Sequence, residues 1–145
     1  MSALNTVKVE FQSHSANEAF ARSCAACVAA QLDPTLEELG DLKTAVSEAV
    51  TNAVVHAYPR ELGQVLLKLR ILEGNVLEVT VKDWGCGIPD VEKAMEPLYT
   101  TGGEERSGMG FSIMACFMDK LRVRSTPGKG TAVVMRKKFS TRLKL

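Results

Sequence analysis

Glu48, Asn52 and His56 recur at i, i+4 and i+8 within residues 45–57, a stretch otherwise dominated by Ala and Val. On a helix this spacing lines all three side chains along one face. A carboxylate and a carboxamide on an apolar wall are costly unless they serve a ligand or satisfy each other. Magnesium takes oxygen ligands and keeps several waters, so an Asn52 carbonyl oxygen plus phosphate oxygens would suit it. Glu48, one turn earlier, is placed to accept a proton from an attacking hydroxyl or water. A solvated polar face would have the same spacing.

Two glycine clusters and a short final motif add to this. Asp83-Trp84-Gly85-Cys86-Gly87-Ile88-Pro89 puts a carboxylate at the end of an apolar run, with glycines two and four positions on. Glycine lets a backbone approach a flat ligand closely, and the carboxylate can accept from an exocyclic amine such as that of adenine. Taken alone, the motif equally describes a simple turn. Arg106-Ser107-Gly108-Met109-Gly110-Phe111 opens a short apolar segment. Glycines at a helix N-terminus expose N–H groups at the positive end of the dipole, which suits phosphate, and Arg106 could clamp a terminal phosphate. A helix cap reads the same way. Neither a Walker loop nor a strand–G-x-G-x-x-G–helix unit is present. Gly128-Lys129-Gly130-Thr131 opens the last strand, where the Thr131 hydroxyl could reach the ligand of Asp83.

The elements that must position these residues follow from periodicity. Val7, Val9 and Phe11 alternate with Lys8 and Glu10, the period of a half-buried strand. Ser15 and Glu18 predict a capping box, opening a helix with Phe20, Cys24, Cys27 and Val28 on its core side and Arg22 in solvent. Asp33-Pro34 ends that helix, and Thr35 and Glu38 cap a second. Leu36, Leu39, Leu42, Val46, Val50, Ala53 and Ala57 predict its stripe as one long helix. Residues 64–72 and 76–83 form a hairpin around Glu73-Gly74-Asn75. A glycine-rich loop over 85–110, a helix over 111–118 and a hairpin around Pro127-Gly128-Lys129-Gly130 complete the order. That order predicts an α+β two-layer sandwich, with helices on one face of a mixed, largely antiparallel sheet.

Composition narrows the function classes. The 145 residues suit one domain over 1–145, and 46% hydrophobic with 24% charged residues is globular composition. Lys plus Arg is 18 against 17 Asp plus Glu, a net charge of +1 that makes no bulk case for nucleic acid or an anionic membrane. No apolar run approaches the ~20 residues of a membrane span and no signal-peptide core opens the chain, so a soluble, cytoplasmic protein is expected. Cys24 and Cys27 have C-x-x-C spacing, yet they fall mid-helix without a second pair. They are expected to be small buried thiols, with no metal–thiolate site.

The order of the four motifs is more specific than any one of them. Helical E-x-x-x-N, D-x-G-x-G, a glycine-rich lid ending in G-x-G, and G-x-G-T together resemble the nucleotide site of the GHKL (Bergerat-fold) ATPases. Residues 46–56, 85–90, 97–101 and 105–111 look most like the bacterial anti-sigma factor serine kinases, in particular their sporulation branch, and residues 17–22 and 32–35 extend the likeness. The resemblance covers about residue 7 to residue 137.

It implies Glu48 as the catalytic carboxylate, Asn52 as the magnesium ligand and Asp83 as the adenine-binding aspartate. It also implies that Gly85, Gly87, Gly108 and Gly110 shape pocket and lid. Arg106 would stand near the terminal phosphate, Thr131 beside adenine, and Thr100, Thr101, Ser107 and Met109 with the nucleotide in the lid segment. ATP or ADP with Mg2+ is the implied cofactor. A sigma factor of the sigma-F type is the implied partner, with an anti-anti-sigma protein as substrate, Arg22 in the partner contact, and a homodimer as the assembly. Three departures stand out: Trp84 replaces a small or acidic residue, His56-Ala57-Tyr58 lacks a common glycine, and Thr101-Gly-Gly-Glu104 is a short lid. The alternatives are a stress-response-type anti-sigma kinase and a nucleotide-gated sigma-binding module without kinase activity. A histidine kinase catalytic domain is disfavoured, because no dimerisation helix carries a phospho-accepting histidine.

Overall fold

The computed structural model describes residues 2–96 and 110–140. In chain order its elements are β1 (Ala3–Gln12), α1 (Asn17–Ala29), α2 (Leu36–Asn52), β2 (Gln64–Leu72), β3 (Val76–Asp83), α3 (Val91–Ala94), α4 (Gly110–Phe117), β4 (Lys120–Thr126) and β5 (Gly130–Lys138). The strands form one sheet in the order β1-β2-β3-β5-β4. Each of the four pairings is antiparallel, so the sheet carries no parallel component among the described strands.

Strand alternation gives the sheet two unlike faces. Val9, Leu67, Val81, Val133 and Val123 lie side by side across the five strands and belong to or pack against the core. One residue earlier or later along each strand, Lys8, Lys68, Thr80, Val134 and Arg122 form the matching row on the other face. Helices α1, α2 and α4 cover the apolar face. Leu42, Val46 and Val50 of α2 are fully buried, each burial stabilising the fold by about 1.5–3 kcal/mol. Lys137 reaches from β5 to donate through Nζ to the Phe117 carbonyl at 2.9 Å, which places a cation at the C-terminal end of α4.

The helices depart from the predicted pattern in four places. In α1 the buried residues are Ala21, Ala25, Val28 and Ala29, whereas Phe20 is 50% exposed and Cys27 is also exposed. Small alanines let α1 approach α2 closely, so the helix turns its alanine side inward and leaves the larger side chains out. The expectation of buried thiols fails for Cys27 and holds in part for Cys24, which is half-buried. The N-cap of α1 is Ala16 without a side-chain hydrogen bond, so Ser15 and Glu18 make no capping box.

The α2 box is present. Glu38 N–H donates to Thr35 Oγ1 at 3.0 Å, and Thr35 N–H donates to Glu38 Oε1 at 2.9 Å. Leu36, assigned to the buried stripe, is instead 89% exposed in the first turn. The helix also does not run regularly to Ala57: Ala53–Ala57 forms one π turn. His56 therefore no longer follows the line of Glu48 and Asn52 that 3.6-residue spacing predicted.

Candidate functional site

The π turn at the end of α2 sets the geometry of the site. A helix end leaves carbonyls without intrahelical partners. Here the Ala57 carbonyl accepts from Cys86 N–H at 3.0 Å, and the His56 carbonyl from the Cys86 thiol at 3.1 Å. The loop after β3 is thereby fastened beneath the end of α2. A Cβ on Gly85 would run into the Ala57 carbonyl, so only glycine fits this approach. Gly87 has φ +77°, and its neighbour Cys86 accepts through its carbonyl from Gly128 N–H at 2.7 Å. The loop is thus held between α2 and the β4–β5 turn.

Asp83 ends β3 and is buried. Its Oδ1 accepts from Gly85 N–H at 3.0 Å and from Thr131 N–H at 3.2 Å. Burial pushes its pKa up, and the two N–H donors offset part of that rise. Thr131 stands directly across from Asp83 in the β3–β5 ladder, and its hydroxyl is 2.8 Å from that of Ser125. Ser125 Oγ in turn accepts from Ile88 N–H at 2.7 Å.

Glu48 and Asn52 lie together on α2, both half-buried, and face the first residue of α4. A Cβ added to Gly110 would sit 3.3 Å from Glu48 Oε2 and 3.5 Å from Asn52 Oδ1. Glycine at this position keeps the space between the carboxylate, the carboxamide and the start of α4 open. That space is bordered by oxygen donors, the chemistry a hard divalent cation takes.

Of the site residues expected from sequence, Glu48 meets Asn52 and Gly110, while Asp83 meets Gly85 and Thr131, with Gly87 held in the same loop. Thr100, Thr101, Arg106, Ser107, Gly108, Met109 and the short lid around Thr101-Gly-Gly-Glu104 lie outside the described residues. Trp84 is 47% exposed and stacks beneath Lys82 Nζ, 5.2 Å from its ring centroid. Its bulk therefore projects away from the Asp83 pocket. Arg22, expected to project into solvent, is half-exposed; it pairs with Glu18 at 3.3 Å and hydrogen-bonds Ser47 Oγ at 3.3 Å, tying α1 to α2.

The sequence motifs give Tyr58 and Ser125 no part in the site. The Tyr58 hydroxyl accepts from Trp84 N–H at 2.8 Å and donates to the Gln64 carbonyl at 2.7 Å, bracing the Asp83 loop. Nothing local signals Tyr58. Ser125 could have been found from its register opposite Thr131.

The family described as histidine kinase-like ATPase domain matches residues 11–137. An anti-sigma F factor from Caldanaerobacter subterraneus subsp. tengcongensis is 56% identical over 134 residues, which is 92% of this chain and 93% of that protein. One from Pasteuria penetrans is 57% identical over 137 residues, 93% of this chain and 91% of its own. The chain belongs to the anti-sigma F factor family. Among solved structures, the RsbU and RsbW domains of a Mycobacterium tuberculosis protein share its fold, with a TM-score of 0.70 at 15% identity over 95% of this chain. A histidine kinase domain from Erythrobacter litoralis gives 0.57 at 31% identity over 71% of this chain. This anti-sigma F family chain spans 33% and 45% of those two structures' chains, respectively. Among the described residues no helix is long and apolar enough to cross a membrane.

Proposed function

We propose that this protein binds a sigma factor of the sigma-F type, so withholding it from transcription, and that it phosphorylates a serine of an anti-anti-sigma protein with ATP. The observation that carries the reading is identity above half to anti-sigma F factors over nearly the whole chain. The meeting of Glu48, Asn52 and Gly110 supports the enzymatic half of the proposal.

In the proposed reaction Asp83 accepts a hydrogen bond from the adenine amine through Oδ2, since Oδ1 is engaged by Gly85 and Thr131. Gly85 and Gly87 let the backbone approach the base, and the N-terminal end of α4 faces the phosphates. The Asn52 carbonyl oxygen would hold magnesium, which when bound neutralises phosphate charge. The substrate serine Oγ attacks the γ-phosphorus and the bond from that phosphorus to the β–γ bridging oxygen breaks. ADP leaves, and Glu48 takes the serine proton. Arg22 on α1 is the proposed partner contact, and Arg106 the proposed phosphate clamp.

The test uses labelled ATP and the purified anti-anti-sigma protein. Glu48→Gln should bind ATP and the sigma factor as wild type does and phosphorylate at least ~100-fold more slowly. A wild-type rate would remove Glu48 from the chemistry. No transfer by the wild type would leave a nucleotide-gated sigma-binding module.

A further inference from the structure

We propose that the sheet face turned away from the helices is a docking surface for an acidic protein segment. The chain as a whole is nearly neutral, with 18 basic and 17 acidic residues. Its charge is nevertheless segregated. Three adjacent rows cross this face: Thr6–Arg70–Glu78–Arg136–Lys120, Lys8–Lys68–Thr80–Val134–Arg122 and Glu10–Leu66–Lys82–Ala132–Arg124. Of the two carboxylates in these rows, Glu78 is already engaged. It is buried, and it bridges Arg70 at 2.9 Å and Arg136 at 2.8 Å. Burial alone would raise its pKa, but the two guanidiniums hold it below the ordinary range.

Glu10 is then the one carboxylate of these rows left to set against Lys8, Lys68, Lys82, Lys120, Arg122 and Arg124. With strands ~4.8 Å apart and rows ~6.7 Å apart, the cationic field covers ~19 by ~13 Å. A hollow of about 360 Å³ opens within it, lined by Glu78, Lys120, Leu121, Arg122, Val134 and Arg136. Such a field attracts carboxylates and speeds their encounter.

The composition of the face favours protein over nucleic acid as the occupant. Single-stranded nucleic acid binds on aromatic stacking platforms, and no aromatic residue occurs in the three rows; Trp84 borders them at the end of β3. Leu66, Ala132 and Val134 instead set apolar side chains among the cations, a mixture that suits a protein segment. A second copy of the chain would bring like charges together. The face lies opposite α1 and α2, so this surface is independent of the proposed Arg22 contact and does not require kinase activity.

The experiment measures binding of a dye-labelled oligoglutamate peptide by fluorescence anisotropy, with an oligothymidylate of matched charge as competitor. Wild type should bind oligoglutamate at low salt, and added salt should weaken the binding. Lys68→Glu/Arg122→Glu/Arg124→Glu should weaken it by at least ~10-fold. Lys68→Gln/Arg122→Gln/Arg124→Gln, which adds no repulsion, should give a smaller loss and guards against misfolding of the reversed variant. No binding by wild type, or equal binding by the neutralised variant with its melting temperature intact, overturns the proposal. So does tighter binding of oligothymidylate, which would make the face a nucleic-acid surface. A changed sedimentation mass in the neutralised variant would make it a self-interface, and also overturns it.

Discussion

Replacing Asp83 by asparagine separates ligand recognition from folding. The carboxylate uses one oxygen, Oδ1, for two backbone donors, Gly85 N–H at 3.0 Å and Thr131 N–H at 3.2 Å. Asparagine can keep both bonds through its own Oδ1. What changes is the second oxygen, which becomes an NH2 donor; in the proposed site it would meet the adenine amine, itself a donor. Such a buried mismatch costs about 1–3 kcal/mol, so adenine-nucleotide affinity should fall by ~5-fold to ~150-fold.

Stability should move the other way. Burial raises the Asp83 pKa, so the native state binds its proton more tightly than the unfolded chain does. Wild type therefore loses stability as pH rises from the ordinary 3.8 through the raised value, and the loss is complete above it. The carboxamide of Asp83→Asn has no charge to desolvate, so the variant should match wild type in acid and exceed it at neutral pH. Asp83→Ala removes the acceptor of both N–H groups and should melt lower. Calorimetric titration with ADP and urea unfolding across pH measure both effects. Unchanged ADP affinity in a folded Asp83→Asn would refute the placement of the base, and a neutral-pH loss of stability would refute the desolvation argument.

Two further outcomes follow from contacts on α1 and α2. Arg22→Glu sets two carboxylates together at Glu18 and breaks the link to Ser47, yet this half-exposed pair contributes only ~0–1 kcal/mol. Urea unfolding should shift slightly, while sigma-factor or antagonist binding, followed by titration, should weaken ~10-fold; wild-type affinity for both would remove Arg22 from the partner face. Burial works to raise the Glu38 pKa, but hydrogen bonds from Thr35 and Ser140 bring it from an ordinary 4.5 down to about 2. Its stabilisation is present above 4.5 and fades as pH falls toward 2, so Glu38→Gln should cost about 1 kcal/mol at neutral pH after solvent screening, with a gap that closes in acid. A gap independent of pH in urea titrations would show that the charge of Glu38 plays no part.

Local rules carried much of the fold. The Thr35–Glu38 capping box, the hairpin around Glu73-Gly74-Asn75 and the alternation of β2, β3 and β5 depend on neighbours within a few residues, so composition and spacing suffice to place them. The i, i+4 spacing of Glu48 and Asn52 is likewise local, and the two do share one face of α2. Other features depended on distant parts of the chain. Which side of α1 is buried was decided by how closely alanines let it approach α2, against the larger apolar side chains that hydropathy favoured. The π turn at Ala53–Ala57 comes with carbonyls taken by Cys86, 29 residues beyond Ala57 in sequence, and with it His56 leaves the line of Glu48. Tyr58 gains its role from Trp84 and Gln64, and Arg22 from Ser47. The cationic face is the fullest case. Its charges lie at alternate positions on five separated strands, so they cancel in the net charge of the chain and become one field only when strand register lines them up.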